Sequence, residues 1–214
     1  QDLAEKLGIK HMILRTDPLK IPEFKNNVPQ RCYHCKKSIF TELIKLAEQK
    51  NITCVLDGTN ADDPMDFRPG LRALKELGVK SPLREVNLTK GEIREILKEL
   101  GLPNWNKPRT ACLATRIPYG EKITLKKLNL VEQGERFLKS LGISECRLRL
   151  HGPIARIEVP VENLEMVLHN AVRKKITAAF ESLGIPFTAL DLSGLKSGSL
   201  NRLLPKEETR SNGK

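Results

Sequence analysis

A Leu-Gly-apolar triplet occurs five times in the chain, and each copy marks the end of a predicted helix. The copies are Leu7-Gly8-Ile9, Leu77-Gly78-Val79, Leu100-Gly101-Leu102, Leu141-Gly142-Ile143 and Leu183-Gly184-Ile185. Glycine readily takes the left-handed conformation after a last helical turn, and an apolar residue commonly follows it. Short β-like runs stand among these helices, at 11–16, 52–58, 147–151, 154–160 and 187–192. Helices that alternate with strands predict the α/β fold class.

The run ITCVLDG at 52–58 predicts a central strand of the first half of the chain. Its near-continuous apolar and β-branched residues are typical of a strand buried on both faces of a parallel sheet. Thr89 and Glu92 predict a capping box that starts the next helix. Because the chain opens on the last turns of a helix followed by a strand at 11–16, we expect an upstream strand and helix of the same sheet.

The segment 103–122 is rich in proline and polar residues and is too long for a plain connector. We therefore predict that it is both a domain junction and part of the active site. This divides the chain into a first domain at 1–108 and a smaller α+β domain at 109–204, with helices at 124–141 and 161–183. Residues 205–214 are predicted to form a disordered tail.

The net charge of +11, from 37 Lys and Arg against 26 Asp and Glu, favours anionic partners such as nucleotides. Only nine aromatic residues, six Phe, two Tyr and one Trp, argue against a surface that stacks many single-stranded bases. No apolar run approaches the ~20 residues of a membrane span, and the first residues do not resemble a secretory signal. We expect a cytoplasmic protein with no membrane partner.

The five cysteines, an odd number unevenly spaced, do not predict a disulfide framework. The pair Cys32 and Cys35 could be packed in a helix, form half of a zinc site, act as a redox dithiol or bind an iron-sulfur cluster. Zinc would need a second pair of ligands, and a thioredoxin-like dithiol would follow a first strand. Cys112, in the long loop, is the best candidate for a third cluster ligand. We expect Cys54 and Cys146 to be packed in the core.

The turn after the 52–58 run, DGTNADDPMDFRPG, offers carboxylates, amides and Arg68 where open α/β sheets bind ligands. A nucleotide with Mg²⁺ would use such groups, from Asp57 to Asn60. A tight polar turn followed by a capped helix explains the same residues about equally well.

Basic residues lie close to the cysteines in sequence and would lower the pKa of neighbouring thiols. Arg31, Lys36 and Lys37 surround the CxxC, and Arg109 and Arg116 flank Cys112. Arg147 and Arg149 are two residues apart on a predicted strand, so they share a face and could bind one phosphate bidentately. The alternative is that they form the solvent face of an edge strand.

Five segments together resemble the LarE family of ATP-dependent sulfur transferases, in the PP-loop pyrophosphatase superfamily. They are RCYHCKK, DGTNADDPMDFRPGLRALKELGVKSPL, TACLATRIPYG, RLRLHGPIARIEVP and LDLSGLKSGSLN, and the resemblance spans about residues 1–204. It implies a parallel-sheet PP-loop domain and adenylation of a carboxylate of pyridinium-3,5-biscarboxylic acid mononucleotide. Sulfur then displaces AMP to give a thiocarboxylate for the nickel-pincer cofactor of lactate racemase.

The resemblance also implies roles for individual residues. Cys112 matches a loop cysteine that either gives up its own sulfur or, with two others, holds a 4Fe-4S cluster; the presence of Cys32 and Cys35 favours the cluster. By position, Asp57, Gly58, Thr59, Asn60 and Arg68 would lie at the nucleotide. Arg116, Arg147 and Arg149 would hold substrate or phosphate, and Glu135 would orient these arginines. The implied partners are other nickel-pincer biosynthesis proteins and further copies of the chain.

The family's SGGxDS loop, whose backbone N–H groups hold the ATP phosphates, does not occur in the sequence. We expect it upstream, and these residues alone to bind ATP poorly. Two other functions are weighed against this one: a tRNA thiolation enzyme of the same superfamily, and a non-catalytic nucleic-acid-binding module with a structural metal. Neither zinc knuckles nor an RNA-binding extension is visible, so nucleic acid is the less favoured partner.

Overall fold

The computed structural model describes residues 1–63, 68–107, 111–196 and 198–205. Its only sheet within these ranges is three-stranded and mixed, formed by β1 (Arg147–His151), β2 (Ile154–Glu158) and β3 (Phe187–Leu190). β1 and β2 form an antiparallel hairpin, and β2 pairs with β3 in parallel. The strand order β1-β2-β3 makes β1 an edge strand. The predicted strands at 147–151, 154–160 and 187–192 are thus present, within one or two residues of their limits.

The helices occur along the whole described chain. They are α1 (Asp2–Lys6), α2 (Pro22–Lys25), α3 (Arg31–Gln49), α4 (Gly70–Glu76), α5 (Pro82–Glu85), α6 (Lys90–Glu99), α7 (Leu125–Ser140), α8 (Leu164–Leu168) and α9 (Asn170–Ser182). Short 3-10 helices lie at Pro18–Lys20, Leu113–Arg116, Val161–Asn163 and Ser199–Leu203. The helix predicted at 161–183 is therefore divided, and the break falls at His169, whose extended backbone (ψ 132°) cannot continue a helix.

The helix ends and the predicted cap follow the local sequence signals. All five glycines of the Leu-Gly-apolar triplets have positive φ, between 62° and 91°. Thr89 and Glu92 form the reciprocal capping box at the start of α6. These predictions are confirmed because each depends on contacts within one helical turn.

The strands predicted in the first half are wrong for the described residues. Residues 11–16 form no strand, and the 52–58 run makes only one parallel bridge, between Leu56 and Lys80. Leu56 is 57% exposed, and Cys54 is exposed rather than packed. A strand is stabilised by hydrogen bonds to neighbouring strands, and within the described chain this run has one bridging residue. The structure is mixed α/β, and it does not clearly contain the expected parallel-sheet domain.

The main hydrophobic core lies between the sheet and the helices α7 and α9. Its fully buried members include Val131, Leu138, Leu148, Ile157 and Phe180. A second, smaller core consists of Phe24, Ala114, Ile117 and Ile123, with Cys35 packed against it. This small core joins α2 and α3 to the segment that follows Cys112, so it brings the two cysteine-bearing parts of the chain together.

Replacing Gly134 with alanine is expected to lower the free energy of unfolding by about 1–3 kcal/mol. A methyl group at this position of α7 would clash with the side chain of Leu148 on β1. Gly91→Ala in α6 is the matched control, because the nearest atom to its added carbon is 3.9 Å away. Urea denaturation of both variants checks the prediction, which fails if Gly134→Ala unfolds at the wild-type midpoint.

None of the helices in the described ranges has the length and apolar character that a membrane span requires. Residues 206–214 of the predicted tail lie outside the described residues, as does Arg109. The domain limits at 108 and 204 stay predictions.

Candidate active site

The CxxC pair lies at the start of α3, which begins at Arg31. Cys32 lines a cavity, whereas Cys35, one helical turn further, packs against the small core. Cys32 is exposed as a residue, but loss of hydration around its sulfur raises the pKa of the thiol, and the cations of Arg31, Lys36 and Arg68 act in the opposite direction. Burial also raises the pKa of Cys35, to about 11. The expectation that basic neighbours would lower these two pKa values is therefore wrong, since loss of hydration outweighs them.

Cys112 precedes the 3-10 helix Leu113–Arg116 and is exposed. Its charge raises the pKa of both Cys32 and Cys35, so the three sulfur atoms lie within electrostatic reach of one another. The fold thus brings Cys112 close to Cys32 and Cys35, although it lies far from both in the sequence.

Thr115 anchors the backbone of the Cys112 segment. Its hydroxyl donates to the carbonyl oxygen of Cys112 at 2.7 Å and accepts from Arg116 Nη1 at 2.8 Å. Its own carbonyl oxygen accepts from Arg149 Nη1 at 2.7 Å. The segment is therefore fixed on two sides, by an arginine of its own 3-10 helix and by an arginine of β1.

Arg116 and Glu135 form a buried, two-pronged ion pair. Arg116 Nε and Nη2 donate to Glu135 Oε1 and Oε2 at 2.6 and 3.2 Å. Glu135, on α7, also accepts from the backbone N–H of Leu148 at 3.1 Å. The carboxylate thus links helix, strand and loop, and it orients the Arg116 guanidinium as a bidentate partner does.

The guanidinium of Arg149 donates nearly all of its N–H groups to protein partners. Its guanidinium donates to both oxygens of Glu158, to the Thr115 carbonyl oxygen and, at 2.7 Å, to the Ser199 hydroxyl. These bonds occupy four of its five N–H groups, so at most one is left for a ligand. Arg147 donates to the Lys196 carbonyl oxygen at 2.7 Å and lies 3.9 Å from Glu158. Of the two arginines, Arg147 has the greater capacity to bind a phosphate.

Arg147 and Arg149 do not form a solvent face, although β1 is an edge strand. Their side chains expose only 16% and 4% of their area. Both lie beside Glu158, which is fully buried and also accepts from Arg156 at 3.2 Å. Sequence reasoning missed Glu158. The signal available was its place opposite Arg147 in a hairpin, where opposite charges pair across strands.

The turn after the 52–58 run is held by its own side chains. Asp57 accepts hydrogen bonds from Ser81 Oγ, at 2.6 Å, and from Thr59 Oγ1, and it lies 3.7 Å from Lys36 Nζ. Burial acts to raise the pKa of Asp57, but the hydrogen bonds from Ser81 and Thr59 hold it below its usual value. Asp63 pairs with Arg68 at 2.6 Å. These carboxylates already have partners, so a magnesium ion here would take most of its ligands from phosphate and water.

Two cavities meet at Cys112. The first cavity, of about 650 Å³, lies between the start of α3 and the 57–60 turn. The predicted site residues that line it are Cys32, Asp57, Gly58, Thr59, Asn60, Arg68, Cys112, Arg147 and Arg149. The second, of about 870 Å³, is lined by Cys112, Arg116, Glu135 and Arg147. Its wall carries seven basic side chains against three carboxylates: Lys90, Arg94, Lys107, Arg116, Arg136, Lys139 and Arg147, with Glu132, Glu135 and Glu145. Every predicted site residue except Cys35 lines one of the two cavities.

Among the described residues, the side chains that could bind a metal do not form a site for a single ion. Across the described ranges, no group of three or more His, Cys, Asp or Glu side chains could hold one metal ion. An iron-sulfur cluster spreads its cysteine ligands over separate iron atoms, so they need not converge on one point. The three cysteines lie near one another without forming a site for a single ion in the described residues, and a cluster bound by them stays a prediction.

The fold and the site define a mixed α/β protein in which distant cysteines meet at a basic cavity. No family model matches the chain. It is 36% identical over 208 residues to the pyridinium-3,5-bisthiocarboxylic acid mononucleotide synthase of Lactiplantibacillus plantarum, covering 96% of this chain and 74% of that protein. The chain belongs to the LarE family, the family of that synthase.

Two uncharacterized proteins are similar over comparable lengths. The chain is 40% identical over 206 residues to one from Synechocystis, covering 96% of this chain and 77% of that protein. It is 33% identical over 191 residues to one from Methanocaldococcus jannaschii, covering 89% of this chain and 74% of that protein.

Proposed function

We propose that the protein is an ATP-dependent sulfur transferase that converts a carboxylate of pyridinium-3,5-biscarboxylic acid mononucleotide to a thiocarboxylate for the nickel-pincer cofactor. One observation carries the proposal: Cys32, Cys112 and the 57–60 turn line one cavity, although they are far apart in sequence. Membership in the family of the Lactiplantibacillus synthase supports the substrate class. Residues 1–108 are the PP-loop part in this proposal, and the parallel Leu56–Lys80 bridge ahead of the turn supports that assignment.

The reaction has two chemical steps. A carboxylate oxygen of the substrate attacks the α-phosphorus of ATP, and pyrophosphate leaves. In the resulting mixed anhydride, AMP is the leaving group at the acyl carbon. A free carboxylate has no such leaving group. Sulfide supplied from outside then forms the carbon–sulfur bond, and the carbon–oxygen bond to AMP breaks. No oxidation or reduction is required.

The chain's own residues bind and orient the reactants. Arg147 and the basic side chains of the second cavity bind the substrate's phosphate, and Mg²⁺ accompanies the ATP phosphates. Glu135 keeps the Arg116 guanidinium in one orientation beside Cys112, where it offsets the negative charge of the adenylate. Cys32, Cys35 and Cys112 would hold a 4Fe-4S cluster whose fourth iron is free to bind sulfide. The proposal also places the protein in the cytoplasm. It includes other nickel-pincer biosynthesis proteins as partners and the formation of homo-oligomers.

Replacing Cys32 with alanine is expected to abolish binding of about four irons per chain, because the cluster loses one of three protein ligands. Iron and acid-labile sulfide analysis after anaerobic reconstitution, with the visible absorption spectrum, measures the loss. Cys54→Ala is the matched control, since Cys54 is exposed and lines neither cavity. Full iron content and an unchanged spectrum in Cys32→Ala would exclude the cluster.

A further inference from the structure

We infer that Asn27 is a positioning residue that sets the separation between the CxxC at the start of α3 and Cys112. The inference rests on the proposed function only in treating the three cysteines as one site. Asn27 lies between α2 and α3 and is fully buried. Its φ of 57° is in the left-handed region, which asparagine tolerates better than most residues.

One side of Asn27 binds the segment that follows Cys112. Its side-chain Nδ2 donates to the carbonyl oxygens of Ile117, at 3.1 Å, and Pro118, at 2.6 Å. Its main-chain carbonyl oxygen accepts from the N–H of Gly120 at 3.1 Å. These three bonds fix the backbone directly after the 3-10 helix that Cys112 precedes.

The other side of Asn27 binds the start of the CxxC helix. Its Oδ1 accepts from Arg31 Nη1 at 2.7 Å, and Arg31 is the residue before Cys32. The guanidinium of Arg31 lies over the ring of Tyr119, 4.5 Å from its centre, so it contacts the same segment after Cys112. One buried carboxamide therefore stands between the two cysteine-bearing parts of the chain.

Apolar contacts alone would not fix this separation. The small core of Phe24, Ile117 and Ile123 keeps α2 near the loop, but hydrophobic attraction is non-directional and permits sliding. Hydrogen bonds with defined angles supply the direction. Loss of the carboxamide would leave two carbonyl oxygens and a guanidinium without this partner, and the segments would shift to hydrate them.

Asn27→Asp tests the inference with the least change in size. The variant keeps an acceptor for Arg31 and an αL-tolerant residue, but it sets a carboxylate oxygen against the carbonyl oxygens of Ile117 and Pro118. The probe is dibromobimane, which bridges two nearby thiols, applied to reduced, metal-free protein carrying Cys54→Ser. Trypsin releases CYHCK (32–36) and TACLATR (110–116), so mass spectrometry separates the bridge to Cys112 from the bridge between Cys32 and Cys35.

The bridge between Cys32 and Cys35 is the internal standard, because both thiols lie on one helix. We expect the ratio of the Cys112 bridge to this standard to fall about tenfold in Asn27→Asp, since small misplacements strongly slow reactions between positioned groups. Ile176→Ala, buried in the main core and outside the small core against which Cys35 packs, should lower the melting temperature and leave the ratio unchanged. Asn27→Gly, which keeps the left-handed backbone and removes the carboxamide, gives the same test if the aspartate variant does not fold.

A wild-type ratio in the Asn27 variants would overturn the inference, and so would an equal fall in Ile176→Ala. The assay uses neither ATP nor a cluster. Failure of the proposed function would appear as absent sulfur transfer by the wild-type protein with the Asn27 effect intact, so the two failures are distinguishable.

Discussion

Cys112→Ala is expected to abolish thiocarboxylate formation, lowering the rate by at least about a thousandfold. The reason is the same for either source of sulfur: Cys112 supplies the atom itself or the third ligand of the cluster that carries it. Adenylation needs no thiol, so release of pyrophosphate should persist. Mass spectrometry of the substrate, which gains the mass difference between sulfur and oxygen, measures the first activity, and a pyrophosphate assay measures the second.

Cys54→Ala is again the matched control, because it removes an exposed thiol that lines neither cavity. It should retain both activities. Wild-type sulfur transfer by Cys112→Ala would contradict the central claim of the proposal. Loss of pyrophosphate release together with sulfur transfer would show instead that Cys112 acts before the acyl adenylate forms.

Glu158→Gln is expected to lower the free energy of unfolding by about 3–5 kcal/mol. The change removes the one negative charge shared by Arg147, Arg149 and Arg156, while the side chain stays fully buried. For a chain of this length the melting temperature should fall by roughly 10 °C. Urea denaturation monitored by circular dichroism gives the free energy, and a thermal scan gives the temperature.

Glu165→Gln removes the same charge from an exposed position on α8 and should change the free energy of unfolding by less than about 0.5 kcal/mol. If Glu158→Gln unfolds at the same urea midpoint as this control, Glu158 does not hold the arginines together. The comparison separates loss of a buried pair from a general effect of net charge.

Local signals in the sequence predicted local structure well. The glycines after Leu141 and Leu183 and the cap at Thr89 act within one turn, so nothing distant could alter them. The run at 52–58 was mispredicted because its apolar, β-branched composition shows only that it could pair, and pairing depends on neighbouring strands. Cys54, in that run, is exposed for the same reason.

The candidate site was predicted in part, for a related reason. Residue chemistry and loop length pointed to Cys32, Cys112 and Arg147, all of which line the first cavity. Asn27 was not predicted, because its partner Ile117 lies 90 residues away and only the fold brings the two residues close. Glu158 was missed although its place opposite Arg147 in the predicted hairpin was a usable signal.

The hydrogen bonds around Thr115 have a consequence for how the Cys112 thiol can move. The segment is tied to Glu135 through Arg116 and to Glu158 through Arg149, and both carboxylates lie in the buried structure around the sheet. Local opening of this segment would separate the buried Arg116–Glu135 ion pair, which costs free energy. In the proposed reaction, the reactants therefore come to a thiol whose backbone is held in place, and no swinging loop carries the thiol between them.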